Sequence, residues 1–132
     1  MMPNPLEEYD RVEVIAAAPM ALSLHWKDGK LVEMRTRWSK SVEETAPLSE
    51  HAAQLKTALA RYVEGRQPDW PELPFDFSRL TPFQRAAIDV LGETPYGEVR
   101  TYGDLAAAMG KPGAARAVGG AMGKNPFPLV YP

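Results

Sequence analysis

The sequence predicts an α+β fold, with a small N-terminal lobe of sheet and helix and a C-terminal winged-helix-like lobe. Three observations carry this. Two alternating apolar runs flank an Asp28-Gly29 pair, the pattern of a β-hairpin. Leu48, Ala52, Leu55, Leu59 and Tyr62 recur at three- and four-residue spacing, the pattern of one helix face. Two helix starts with capping residues, Thr81-Pro82-Phe83-Gln84 and Thr101-Tyr102-Gly103-Asp104, stand in the C-terminal half.

Taken in order, Arg11 to Ala17 alternates into an apolar run and reads as a strand. Met20, Leu22, Leu24 and Trp26 then share one face of a second strand, and Leu31 to Trp38 resumes the alternation after the turn. His25 and Trp26 read as packing and surface residues and His51 as a solvated helix residue, since no second histidine lies nearby in sequence. Ser39 to Pro47 is polar and is expected to be a loop. The helix that follows should stop at Gly65 and pack on the hairpin sheet. Arg66 to Pro74 is rich in proline and is expected to be extended, joining the lobes without regular structure, with Trp70 anchoring it by burial. The predicted division is therefore 1–74 and 75–132. In the second part Thr81 is the N-cap of a helix whose buried stripe should be Phe83, Ala86, Ala87, Val90 and Leu91.

The most informative stretch is Thr101 to Pro126. Thr101 and Asp104 form an approximate capping box, so a helix should begin at Tyr102. Gly110 suits a left-handed helix end, and Pro112 suits the first turn of the next helix. On a wheel of about 100° per residue, Val118, Met122 and Ala115 form a core face, while Gly113, Ala117, Gly120 and Ala121 lie opposite with Arg116 as the only long side chain. Glycines at 119 and 120 each cost a helix roughly 1 kcal/mol relative to alanine, so something other than helix stability favours them. Two readings stay open on the stretch alone. Small residues permit close packing of another element, and a helix free of bulk can enter a narrow nucleic-acid groove while its arginine takes a place in the base stack.

Thr81-Pro82-Phe83-Gln84-Arg85, Pro95-Tyr96-Gly97-Glu98-Val99-Arg100-Thr101-Tyr102, Ala114-Ala115-Arg116-Ala117-Val118-Gly119-Gly120-Ala121-Met122 and Asn125-Pro126 together resemble the O6-alkylguanine-DNA alkyltransferases, the methylated-DNA–protein-cysteine methyltransferases. The likeness spans about the last fifty residues and is far more specific than a generic helix-turn-helix. It implies a double-stranded DNA partner held by its minor groove, with an O6-alkylguanine rotated out of the duplex. Tyr102 would crowd the target nucleotide's phosphate and Arg116 would fill the vacated place in the stack, where a planar guanidinium recovers part of the unstacking cost. Gly113, Ala114, Ala117 and Gly120 would line the DNA-facing surface, and Asn125 would brace the turn ahead of the nucleophile.

The departure from the family is equally informative. There, a proline matching Pro132 is followed by Cys-His-Arg, and that cysteine accepts the alkyl group. The 132 residues contain no cysteine, so no catalytic residue is assigned and the chain by itself is expected not to perform the transfer. His25 and His51 match no family position. Phe127 to Pro132 should run toward the protein interior, leaving apolar surface for a partner, a second copy or a further segment to cover. The chain then reads as the front of an alkyltransferase, as a cysteine-free relative that binds the lesion without repair, or as a scaffold for protein contacts.

Charge and composition bound these readings. The net charge is −2 and the pI near 5.7, but the residues from Arg79 onward carry +2 and the remainder −4. Phosphate contacts are therefore expected from the C-terminal part, with modest, salt-sensitive affinity. No cofactor loop, metal-ligand spacing or repeat is present in the sequence. Met1 to Glu8 lacks the basic and apolar regions of a signal peptide and no apolar run reaches membrane-spanning length, so a cytoplasmic protein without a membrane partner is expected.

Overall fold

A computed structural model describes residues 9–131. Met1 to Glu8, on which the leader reading rests, and Pro132 lie outside the described residues. The chain divides into two compact units with the boundary between Asp76 and Phe77.

In the first unit, β1 (Arg11–Ala17), β2 (Met20–Lys27) and β3 (Lys30–Trp38) form an antiparallel sheet in that order. Asp28 and Gly29 have φ of 51° and 77°, so the turn has the two left-handed residues that match the twist of a tight hairpin. Pairing of Ile15 with Leu22 and of Leu24 with Met34 puts these buried side chains on one face. Helix α1 (Glu50–Val63) turns Ala52, Leu55, Ala58 and Leu59 inward, and Gly65 ends the chain's turn at φ 74°.

The junction of β1 and α1 is polar. Glu13, buried on β1, accepts from the Ser49 backbone N–H at 2.7 Å and from its hydroxyl at 2.8 Å, while the same hydroxyl caps the Ala52 N–H. A carboxylate at a helix N-terminus is favoured by the helix dipole, and Arg11 Nη2 lies 3.3 Å from the same Oε1 that accepts the Ser49 hydroxyl. His25 is buried rather than surface-facing, with Nε2 at 2.9 Å from the Ser23 hydroxyl and its ring against Tyr9. His51 is exposed on α1 and stacks on Trp26.

Two segments that the sequence marks only as connections contribute backbone bonds. In the loop after β3, Thr45 exchanges hydrogen bonds with Val14, and Glu44 accepts from the Ala16 N–H, so the loop covers the outer edge of β1. The proline-rich segment is not free of regular pairing at its end. Leu31 donates to the Pro74 carbonyl and accepts from the Asp76 N–H, both at 2.8 Å, which makes a parallel bridge between Leu31 and Phe75. Trp70 is half-buried against Tyr62.

The second unit holds α2 (Pro82–Gly92), α3 (Tyr102–Ala108) and α4 (Ala115–Met122), with no strand among its described residues. Leu105, Ala106 and Val118 form its core, closed by Phe83, Val90, Leu91, Met109, Ala114 and Met122. Thr81 caps α2 in a full capping box with Gln84. Ala86, expected in the buried stripe, is exposed, and Ile88 is buried instead. Both flank Ala87 by about 100° on the helix, and burial extends to the Ile88 side only. Among the described residues, no helix is long and apolar enough to cross a membrane.

Thr81→Ala removes the side-chain acceptor for the Gln84 N–H and is expected to cost about 1 kcal/mol of stability. Urea unfolding should show the midpoint falling with an unchanged slope.

Candidate nucleic-acid interface

The interface is built from the turn between α3 and α4. At its start the Thr101 hydroxyl accepts from the Asp104 N–H at 3.0 Å, and Asp104 accepts from the Thr101 N–H at 2.9 Å. The Thr101 N–H, followed by its hydroxyl, holds the Asp104 carboxyl below the usual aspartate range. This box fixes the backbone at Tyr102, the first residue of α3, which is 53% exposed.

At the other end of α3, Gly110 takes φ 74°. Its N–H donates to the Ala107 carbonyl and the Lys111 N–H to the Ala106 carbonyl, the two bonds of a Schellman ending. Helix α4 begins later than the sequence suggests. Pro112 and Gly113 lie in the turn, and Ala114, at φ −101°, is an N-cap with no side-chain hydrogen bond. Alanine cannot accept from the first-turn amides, so α4 starts on tertiary packing of Ala114 and Val118 instead of on a cap.

Each residue assigned to the DNA-facing surface can now be placed. Arg116, Ala117 and Gly120 are exposed on α4, Gly113 is exposed in the turn, and Ala114 is half-buried against the core. Ala121, read with the smooth outer face, is buried, because it follows Val118 by three residues and shares its side of the helix. Arg116 makes no ion pair among the described residues. The surface therefore offers small side chains and one unneutralised guanidinium.

Behind the interface, Asn125 closes a loop. Its Nδ2 donates to the Tyr131 carbonyl at 2.7 Å, its Oδ1 accepts from the Phe127 N–H at 2.9 Å, and Tyr131 donates to the Phe127 carbonyl. Phe127 is fully buried, and Leu129 is held at φ 74°, a left-handed conformation costing a branched residue about 1–3 kcal/mol. The Tyr131 ring stands edge-on to Phe77 and over Gly92, where a Cβ would come within 2.8 Å of it. Burial raises the Tyr131 hydroxyl above its ordinary pKa. Sequence reasoning found the asparagine but neither the ring contact at Gly92 nor the one that Tyr102 makes at Gly119. A glycine at a helix end or in a helix interior was the only available signal.

The second unit is thus built as a helix-turn-helix, a capped α3 leading through a tight turn into the bare, singly charged α4. Residues 82–132 match the family described as 6-O-methylguanine DNA methyltransferase, DNA binding domain. The constitutive methylated-DNA–protein-cysteine methyltransferase of Bacillus subtilis is 38% identical over 96 residues, 72% of this chain and 57% of that protein. The structure of Mycobacterium tuberculosis OGT in complex with DNA matches with a TM-score of 0.70 at 29% identity, covering 92% of this chain and 74% of that one. A variant of the M. tuberculosis O6-methylguanine methyltransferase matches with a TM-score of 0.68 at 30% identity, covering 90% and 73%. The chain belongs to the methylated-DNA–protein-cysteine methyltransferase family. It spans about half the length of several relatives, 57%, 44% and 50% of those from B. subtilis, Haemophilus influenzae and the mimivirus, and it contains no cysteine.

Asn125→Ala removes the two side-chain bonds that brace the 125–131 loop and is expected to cost about 2 kcal/mol. Hydrogen exchange at the Phe127 amide should accelerate by more than at Val118. The Asp104 carboxyl, depressed in the folded state, supports the start of α3 at neutral pH and loses that contribution as the pH falls through its folded pKa. The protection of the Thr101 amide, its exchange measured against the intrinsic rate at the same pH, should fall on acidification in the native protein and show no such fall in Asp104→Asn.

Proposed function

We propose that this chain binds double-stranded DNA through α4 in the minor groove and rotates an O6-alkylated guanine out of the stack. In this reading Gly113, Ala114, Ala117 and Gly120 lie along the groove, Tyr102 crowds the target phosphate, and Arg116 stands in for the extruded base. The observation that carries it is the exposed Arg116, free of any ion pair among the described residues, on a helix face otherwise made of alanine and glycine. Extrusion costs a few kcal/mol, and a stacked guanidinium recovers part of it. The positive balance of the C-terminal part gives phosphates a place to dock. Such a protein would act in the cytoplasm.

The repair step of the family would follow on a thiolate placed directly after Pro132. Sulfur attacks the alkyl carbon, the carbon–O6 bond breaks, and its electron pair returns to the guanine. A second reading is lesion binding without transfer by a relative that has no such cysteine. The product of the complete open reading frame, incubated with DNA carrying a labelled O6-methyl group, separates the two. Label on the protein establishes transfer, and label remaining on DNA in a stable complex establishes binding alone.

Arg116→Ala should weaken the preference for a duplex carrying O6-methylguanine over a normal one by about tenfold, roughly 1.4 kcal/mol. Fluorescence anisotropy with the two duplexes measures this, and equal affinities before and after the substitution would reject the role. Tyr102→Phe should lose less base rotation than Tyr102→Ala, because bulk against the backbone matters more than the hydroxyl.

A further inference from the structure

The two adjacent glycines of α4 point in directions about 100° apart and meet different surroundings. A Cβ at Gly120 would find no atom within 4 Å. A Cβ at Gly119 would stand 3.0 Å from Cε2 and 3.1 Å from Cδ2 of the Tyr102 ring. Gly119 is half-buried and Gly120 exposed. The edge of the Tyr102 ring therefore rests directly on the backbone of α4.

We infer that Gly119 is a positioning residue for Tyr102, setting how far its ring stands from the α4 backbone, and that only Gly120 serves clearance for the groove. The inference rests on the proposed role of Tyr102 in base rotation. Tyr102 is restrained twice. The Thr101–Asp104 box fixes its backbone, and the missing side chain at 119 lets the ring settle against the neighbouring helix. Tyr102 is half exposed and its ring supplies the three nearest atoms that a Cβ at 119 would meet, so a side chain there would displace the ring toward solvent. Alanine at an interior helix position is also a better helix former than glycine, so Gly119→Ala should fold at least as well as the native chain. A loss of function in that variant then reports the ring's position and not unfolding.

The experiment compares Gly119→Ala, Gly119→Leu, Gly120→Ala, Tyr102→Ala and the double variant Tyr102→Ala/Gly119→Ala. The DNA carries 2-aminopurine beside O6-methylguanine, whose fluorescence rises on unstacking, and anisotropy gives affinity for the same duplex. Thermal melting of Gly119→Ala should match or exceed the native protein. Its unstacking rate should fall more than its affinity, and Gly119→Leu should lose on the order of 10²-fold in rate. Gly120→Ala should show the opposite split, with lower affinity and an undiminished signal from the bound complex. With Tyr102 already replaced by alanine, Gly119→Ala should cause no further loss, since the atoms it displaces are gone. Additive losses in the double variant, or an unstacking rate unchanged in Gly119→Leu, would overturn the positioning role alone. Native protein that binds the lesion duplex with no rise in fluorescence would instead overturn the base-rotation reading.

Discussion

Close approach of α3 and α4 is the constraint on which the C-terminal unit depends. Leu105 and Ala106 from one helix meet Val118 from the other at the centre of the core. Ala106 has too little bulk to hold the helices apart, and Gly119 has none. The tight turn follows from the same approach, since Gly110 must reverse the chain within a few residues and does so in the left-handed region. Of the residues proposed for DNA contact, Tyr102, Gly113, Arg116, Ala117 and Gly120 are exposed, and Ala114 is half-buried against the core.

The N-terminal unit is held by a different kind of contact. Glu13 is buried and ionisable, and by itself such a group is costly. Its two hydrogen bonds from Ser49, an arginine beside it and the positive end of α1 offset that cost and fix where the helix starts against the sheet. Loop residues 44 and 45 complete the edge of β1 in the same polar manner. The unit thus has an apolar interior that includes the buried Trp26, and polar contacts at the edge of β1.

Asn125 connects the interface to the segment behind it. One amide side chain ties residue 127 to residue 131, spans a left-handed Leu129, and leaves Phe127 sealed in the unit's interior. Strain at one residue persists where its surroundings determine it from both sides, and this loop meets that condition.

Much of this was legible in the sequence because it is local. The Asp28-Gly29 turn, the boxes at Thr81 and Thr101, and the left-handed end at Gly110 are settled by residues within four positions of one another. Apolar periodicity located α1 and the buried Val118 for the same reason. The start of α4 was misplaced because Pro112 is compatible with a first turn but cannot require one, and packing of Ala114 and Val118 decided the matter. Burial of Ala121 and Ile88, and exposure of Ala86, depended on which side of each helix found a neighbour. The pair of glycines shows the division most plainly. Sequence established that both are poor helix residues kept for some other purpose, and only the fold, by laying the Tyr102 ring against one and open space against the other, gave them separate reasons.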